Sequence, residues 1–225
     1  MPSDPQSETP VTVLADPALS PDAVRALFTR SDGRYLFARW GPAIVPLVIG
    51  ADAATRAAML AAVTGIATLA GHPMAGPQND PTPNLPVFFC QAWAELAVTP
   101  NLARLVPDIG ALCERLERAG ANQYRIFRRD EGGAIIAVLI LVRIDAHIAA
   151  VPPEVLATSQ AVQAMLLWSD AAFRDQAPLA DIGGRVILRP GIGVLLRASY
   201  DSALPDAAVD PAHALRLFAR LPRSQ

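Results

Sequence analysis

YRIFRRDEGGAIIAVLILVRI, residues Tyr124–Ile144, is the stretch whose reading decides the fold. Its halves, Tyr124–Arg129 and Ala134–Ile144, read as strands, and Asp130-Glu131-Gly132-Gly133 between them is turn-forming. Turn residues between two apolar runs predict a β-hairpin. Ala134–Val142 is the longest uninterrupted apolar run in the chain. It falls short of the roughly 18 residues that a bilayer span needs. Its isoleucine and valine content marks a buried strand instead. Pro152-Pro153 then opens a helix whose pattern continues to about Trp168.

Upstream, Tyr35–Trp40 and Ile44–Ile49 read as two strands parted by Gly41-Pro42, and Pro46 suggests an edge position or a bulge for the second. Ser20, Pro21 and Asp22 start a helix that runs to about Arg30. Asp52 caps a long helix to about Leu69, with Ala58, Met59, Val63, Ile66 and Leu69 as its apolar stripe and Gly71 as its stop. A proline- and glycine-rich loop over 71–84 leads to the strand Leu85–Gln91, and 107–119 form an amphipathic helix. Downstream, Gly183-Gly184 turns the chain, and a turn at Arg189-Pro190-Gly191 precedes a short helix Ile192–Ser199. Asp210 and Pro211 begin a last helix with Leu215 and Phe218 on its inner face. The expected architecture is α+β: a small mixed sheet with helices packed to one side. Residues 1–19 read as a flexible tail and 20–225 as a single domain.

Composition narrows the function. The net charge is −2, all 19 basic side chains are arginine, and no basic excess exists to hold a phosphate backbone, so no nucleic acid is expected as partner. Hydrophobic residues make up 52%, enough to bury a large core or to leave apolar surface for a partner subunit. No transmembrane segment is expected. Met1–Pro10 lack the basic start and apolar stretch of a secretory signal, which read literally places the chain in the cytoplasm. Cys90 and Cys113 read as two buried thiols, Cys113 on a stripe with Ile109, Leu112 and Leu116. In an oxidising compartment a disulfide between them would add about 3 kcal/mol.

The search for chemistry returns little. His72, His147 and His213 lie far apart in sequence, none in a ligand spacing, and each reads as a surface or capping residue, so no metal and no cofactor are expected. Gly191-Ile192-Gly193 is too short a motif for a phosphate loop and reads as a helix entry. Arg128-Arg129 reads as a solvated rim that could meet an anionic partner. Asp145, His147 and Glu154 lie close together between a strand and a helix, and form the one place for an unrecognised hydrolase site.

One family resemblance is carried by the order of segments. It rests on Ala38-Arg39-Trp40 followed by Ile44–Gly50 and a long helix, and on Asn84 before Val87-Phe88-Phe89. It continues with the strand Ala134–Ile144, the helix Leu156–Leu166, and Ile187–Tyr200 closing on Leu196-Arg197-Ala198-Ser199-Tyr200-Asp201. Over roughly residues 20–220 this order resembles the DUF2927 proteins, a bacterial family of unknown function with a zincin-like look. The resemblance implies a zincin-like fold and export to the cell envelope. It also implies that residues 156–166 match a helix carrying a Glu-Glu-x-x-Gln type motif. Here Ser159 and Gln160 stand at the acidic positions and only Gln163 fits. A zinc protease needs two histidines four apart with a glutamate base between them. Ser159 and Gln163 share a helical face but are neutral, and Gln160 cannot take a proton near pH 7. The resemblance therefore implies a non-catalytic zincin-like domain with a binding or structural role. One such role is capture of an extended peptide on an exposed sheet edge, with strand 44–49 as candidate. On the residues alone, Val155, Val162 and Leu166 face the core, Leu156 and Met165 flank them, and Ser159 and Gln163 line a groove wall.

Overall fold

A computed structural model describes residues 19–76 and 82–222. The proposed N-terminal tail and leader region therefore lie, but for Leu19, outside the described residues. The chain is a mixed helix-and-strand fold, as its pattern predicts.

The hairpin forms where expected. Strand β4 (Gln123–Arg129) pairs antiparallel with β5 (Ile135–Arg143), with a register shift at Arg128/Arg129. Gly133, at φ +90°, closes the turn, and a Cβ there would lie 2.8 Å from the Cβ of Ala207. Strands β2 (Pro46–Ile49) and β3 (Leu85–Cys90) run parallel to each other, and β3 runs parallel to β5, giving the order β2-β3-β5-β4.

The expectation of helices on one side needs correction. Along β3, Val87 and Phe89 enter one core while Phe88 and Cys90 enter another; along β5, Val138, Ile140 and Val142 part from Leu139 and Leu141 in the same way. The larger core is closed by α2 (Ala53–Ala70), α7 (Pro153–Met165) and α8 (Pro190–Ser199). The smaller is closed by α3 (Ala94–Ala97), α4 (Leu102–Leu105) and α5 (Ile109–Arg118). A strand covered on both faces has no polar side to present. That is why 134–142 is an unbroken apolar run rather than an alternating one.

Local signals set the helix ends. Asp52 accepts from the Thr55 N–H at 2.7 Å to start α2, and Gly71, at φ +73°, ends it in the left-handed region. By length and a mean hydropathy of 1.4, α2 meets the criterion for crossing a membrane, which the sequence reading does not anticipate. Met59, Val63, Ile66, Ala67 and Ala70 are nevertheless buried in the protein core. Helix α7 stops at Met165 rather than Trp168, with no glycine cap. Side chains take over the last carbonyls: Trp168 Nε1 donates to Val162 O (3.1 Å), Trp40 Nε1 to Ala164 O (2.9 Å) and Tyr200 Oη to Met165 O (2.7 Å).

Other differences are local. Of Tyr35–Trp40 only β1 (Phe37–Ala38) is a strand, paired with β8 (Ala207–Ala208). Gly183 and Gly184 close a hairpin of β6 (Leu179–Ile182) and β7 (Arg185–Leu188), and the turn expected at Arg189-Pro190-Gly191 is the entry of α8. Helix α9 (Ala212–Phe218) buries His213, Ala214 and Leu217, while Leu215 is exposed. Two residues of solvent-facing reach thus exchange places with what the pattern predicts. His213 is fully enclosed, not a surface histidine. Its Nδ1 bonds Tyr35 Oη at 2.8 Å, and burial, with Arg216, Arg39 and Arg220 adding, pushes its pKa down to about 4.

One side chain ties the two ends of the chain together. Arg39 is 8% exposed. It donates to Asp206 Oδ1 (2.7 Å), Ser199 O (2.9 Å), Asp201 O (3.0 Å) and Leu204 O (3.0 Å). All the polar atoms of its guanidinium find partners, one of them a carboxylate.

Candidate functional site

The positions matched to the family motif sit on α7, and the helix splits them. Ser159 and Gln163, one turn apart, are half-buried, and Gln163 Nε2 donates to Ser159 Oγ at 3.0 Å. Gln160 points elsewhere and is 0% exposed. Its Oε1 accepts from Arg125 Nη2 at 2.7 Å, and its Nε2 donates to Gln123 Oε1 at 2.6 Å. Arg125 Nη2 also reaches Gln123 Oε1 at 3.3 Å. The buried face of α7 is therefore Leu156, Ala157, Gln160, Ala161, Val162, Ala164 and Met165, whereas Val155, expected in the core, is half-buried.

Arg125 and Gln123 do not stand out in the sequence. Both lie on β4 and, with Phe127, face the larger core, whereas Tyr124 and Ile126 face the smaller one. The alternation Gln-Tyr-Arg-Ile-Phe carries a faint signal: two polar residues two apart share one strand face. Their partner, Gln160, is 35 residues away from Arg125.

Arg125 is unusual for a cation leaving water. Its Nε is buried without a hydrogen-bond partner. Burial alone pushes its pKa down to about 10, with no carboxylate offsetting the effect, and it stays charged at pH 7. A zinc ion does not fit here. Hydroxyl and amide oxygens are poor zinc ligands. The guanidinium hydrogen-bonded to Gln160 would also repel a divalent cation. Among the described residues no three His, Cys, Asp or Glu side chains gather into a metal-binding group.

No family model, curated protein or solved structure matches this chain. What the site can do must come from its own geometry.

The alternative trio does not converge. Asp145 caps the short helix α6 (Ala146–Ala149), accepting from Ile148 N at 2.8 Å, and takes a second bond from Asn122 Nδ2 at 3.2 Å. These backbone and side-chain bonds, with Arg143 nearby, hold its carboxyl below the usual range. His147 and Glu154 are exposed, Glu154 in the first turn of α7, and no side-chain-to-side-chain hydrogen bond joins any two of the three among the described residues. His72 Nε2 contacts Pro42 O at 2.9 Å, and burial lowers its pKa. Cys90 and Cys113 are free and buried, and burial pushes the Cys90 thiol up to about 12 and Cys113 upward, away from thiolate chemistry.

The sheet has two edges. The segment just before β2, the strand singled out by its proline, is shielded: Ile44 N donates to Pro73 O and Ala75 N donates to Ile44 O, at 3.1 and 3.0 Å. Pro46 lacks a donor. Strand β4 has only β5 beside it. Arg143 N donates to Asn122 O at 2.8 Å, which fixes the phase of the ladder. By antiparallel alternation, the backbone groups of Gln123, Arg125 and Phe127 then face outward. They have no backbone partner among the described residues. Strand β4 is therefore open along Gln123–Phe127, whereas the 44–49 edge is covered at Ile44 and lacks a donor at Pro46.

Proposed function

We propose that this chain is a non-catalytic, zincin-like binding domain that receives an extended peptide by strand addition on β4. One observation carries the reading: the open edge of β4 runs beside α7, and the helix position matched to an acidic motif residue is a buried glutamine engaged with that same strand. An amide held between Arg125 and Gln123 supplies no base and no metal ligand. It does hold the edge strand rigidly against the helix, which lowers the ordering cost of binding. The hydrolase alternative has no support of this kind, because the Asp145 carboxylate is engaged in capping α6.

Backbone hydrogen exchange with capped, randomised nonapeptide pools tests the reading. The amides of Gln123, Arg125 and Phe127 gain protection when peptide is present. Protection confined to other elements, or none at saturating peptide, would refute strand addition at β4.

A further inference from the structure

The strand Gln123–Arg129 carries three arginines and no acidic residue. None of Arg125, Arg128 and Arg129 takes part in an ion pair among the described residues. Arg128 and Arg129 are exposed at the turn end, and Arg128 Nη2 also contacts Leu105 O. Asp130 and Glu131 follow in the turn, beyond the Gln123–Phe127 segment whose outward backbone is open. Arg125 is different in kind. Its Nη2 is held by two amide oxygens, its Nε is enclosed without a partner, its Nη1 makes no hydrogen bond among the described residues, and the residue as a whole keeps partial exposure. Two glutamines satisfy donors without neutralising charge. The result is a fixed cation with no counter-ion among the described residues.

We propose that Arg125 is the anion-reading group of the β4 edge, and that the peptide captured there presents an Asp or Glu side chain to Arg125 Nη1. This rests on the strand-addition reading and adds the chemistry of the partner: an acidic extended segment. Charge argues against a second copy of the chain as occupant. Like charges placed opposite each other across paired strands are destabilising. An arginine-bearing edge guards against self-pairing in the same way that lysine does on other edges. A carboxylate reverses that sign, and a charge-assisted hydrogen bond to a partly desolvated guanidinium is about twice as strong as a neutral one.

The test compares two pools of capped nonapeptides, randomised except at the central residue, which is Asp or Glu in one and Asn or Gln in the other. Binding is read by fluorescence polarisation against the full chain. The acidic pool is expected to bind about tenfold more tightly. Arg125→Met abolishes the preference, and Arg125→Lys retains part of it as a point charge. Circular dichroism verifies the fold of each variant, and the lysine variant keeps the test decisive if the methionine variant misfolds. Equal binding of both pools by the wild type overturns the anion inference while leaving strand addition standing. An undiminished preference in Arg125→Met assigns it to the exposed Arg128 and Arg129 and also overturns the inference. Binding of neither pool brings down both readings together. A rise in melting temperature with inorganic phosphate, lost in Arg125→Met but not accompanied by peptide preference, identifies an adventitious anion site and overturns the peptide assignment.

Discussion

Arg39 and Arg125 both withdraw a guanidinium from bulk water, and the fold surrounds them in opposite ways. Arg39 meets one carboxylate and three backbone carbonyls, all between 2.7 and 3.0 Å. Arg125 meets two neutral amides, leaves one nitrogen enclosed without a partner and has no carboxylate. The first is a completed structural pin. The second is a cation positioned at considerable desolvation cost with its charge left open. A buried arginine is thus not one thing. The presence or absence of a counter-ion separates a stabilising role from a recognition role.

The contrast breaks most visibly at Arg39. Replacing it with alanine leaves Asp206 and three carbonyls unanswered, and we expect a loss of about 3–5 kcal/mol in urea unfolding. A loss below about 1 kcal/mol would remove the pin from the account.

Acid provides the next test, through the histidine packed beside the same strand. His213 packs against Phe37 with ring centroids 4.2 Å apart and is buried neutral, with its pKa pushed down to about 4. The unfolded chain takes up that proton near pH 6.5, so this contribution is complete above about 6.5 and declines as pH falls towards 4. Its size is on the order of 2–3 kcal/mol by linkage. His213→Gln flattens the pH dependence across that window, measured as the difference between wild-type and variant stability curves. A parallel pair of curves would contradict a neutral buried His213.

Gln160→Leu sharpens the other side. It removes the shorter of the two acceptors for Arg125 Nη2 and leaves Gln123 alone, with an expected cost of about 1–3 kcal/mol. The smallest effect is expected at Arg125 itself. Arg125→Met removes a cation that has no counter-ion, so stability changes by about 1 kcal/mol or less in either direction. If chemical denaturation gave Arg125→Met a penalty matching that of Arg39→Ala, the distinction between the two arginines would collapse.

Much of the fold is legible in the chain because its signals are local. Asp130–Gly133 announces the hairpin, Asp52 and Gly71 bracket α2, and Leu85–Gln91 reads directly as a strand, which ends one residue earlier at Cys90. Of the second helical layer only α5 is legible, because α3 and α4 have four residues each, too few for a period to appear. The unbroken run of 134–142 did contain the hint that both faces of β5 are covered. On α9, Phe218 packs against the core as its pattern predicts, whereas Leu215 is exposed and His213, packed among aromatic rings, takes the inner position. At the site, the helix α7 is legible, but the destination of Gln160 is not. Helical spacing says which residues share a face, and only the tertiary fold brings β4 to that face. Arg125 looked like any strand arginine until the absence of a carboxylate beside it became visible.

Strand β1 and its partner β8 are far apart in sequence, at Phe37–Ala38 and Ala207–Ala208, and Arg39 fastens to residues 199–206. During synthesis, the early segment therefore leaves the ribosome long before its partner exists. At about 5–20 residues per second, the wait is on the order of ten seconds or more. Throughout that interval Phe37 and the Arg39 donors are without their final surroundings. The elements around residues 199–208 thus act as a latch of the domain, and a nascent chain that stalls or is cut before residue 199 would leave strand β1 open to chaperones and proteases.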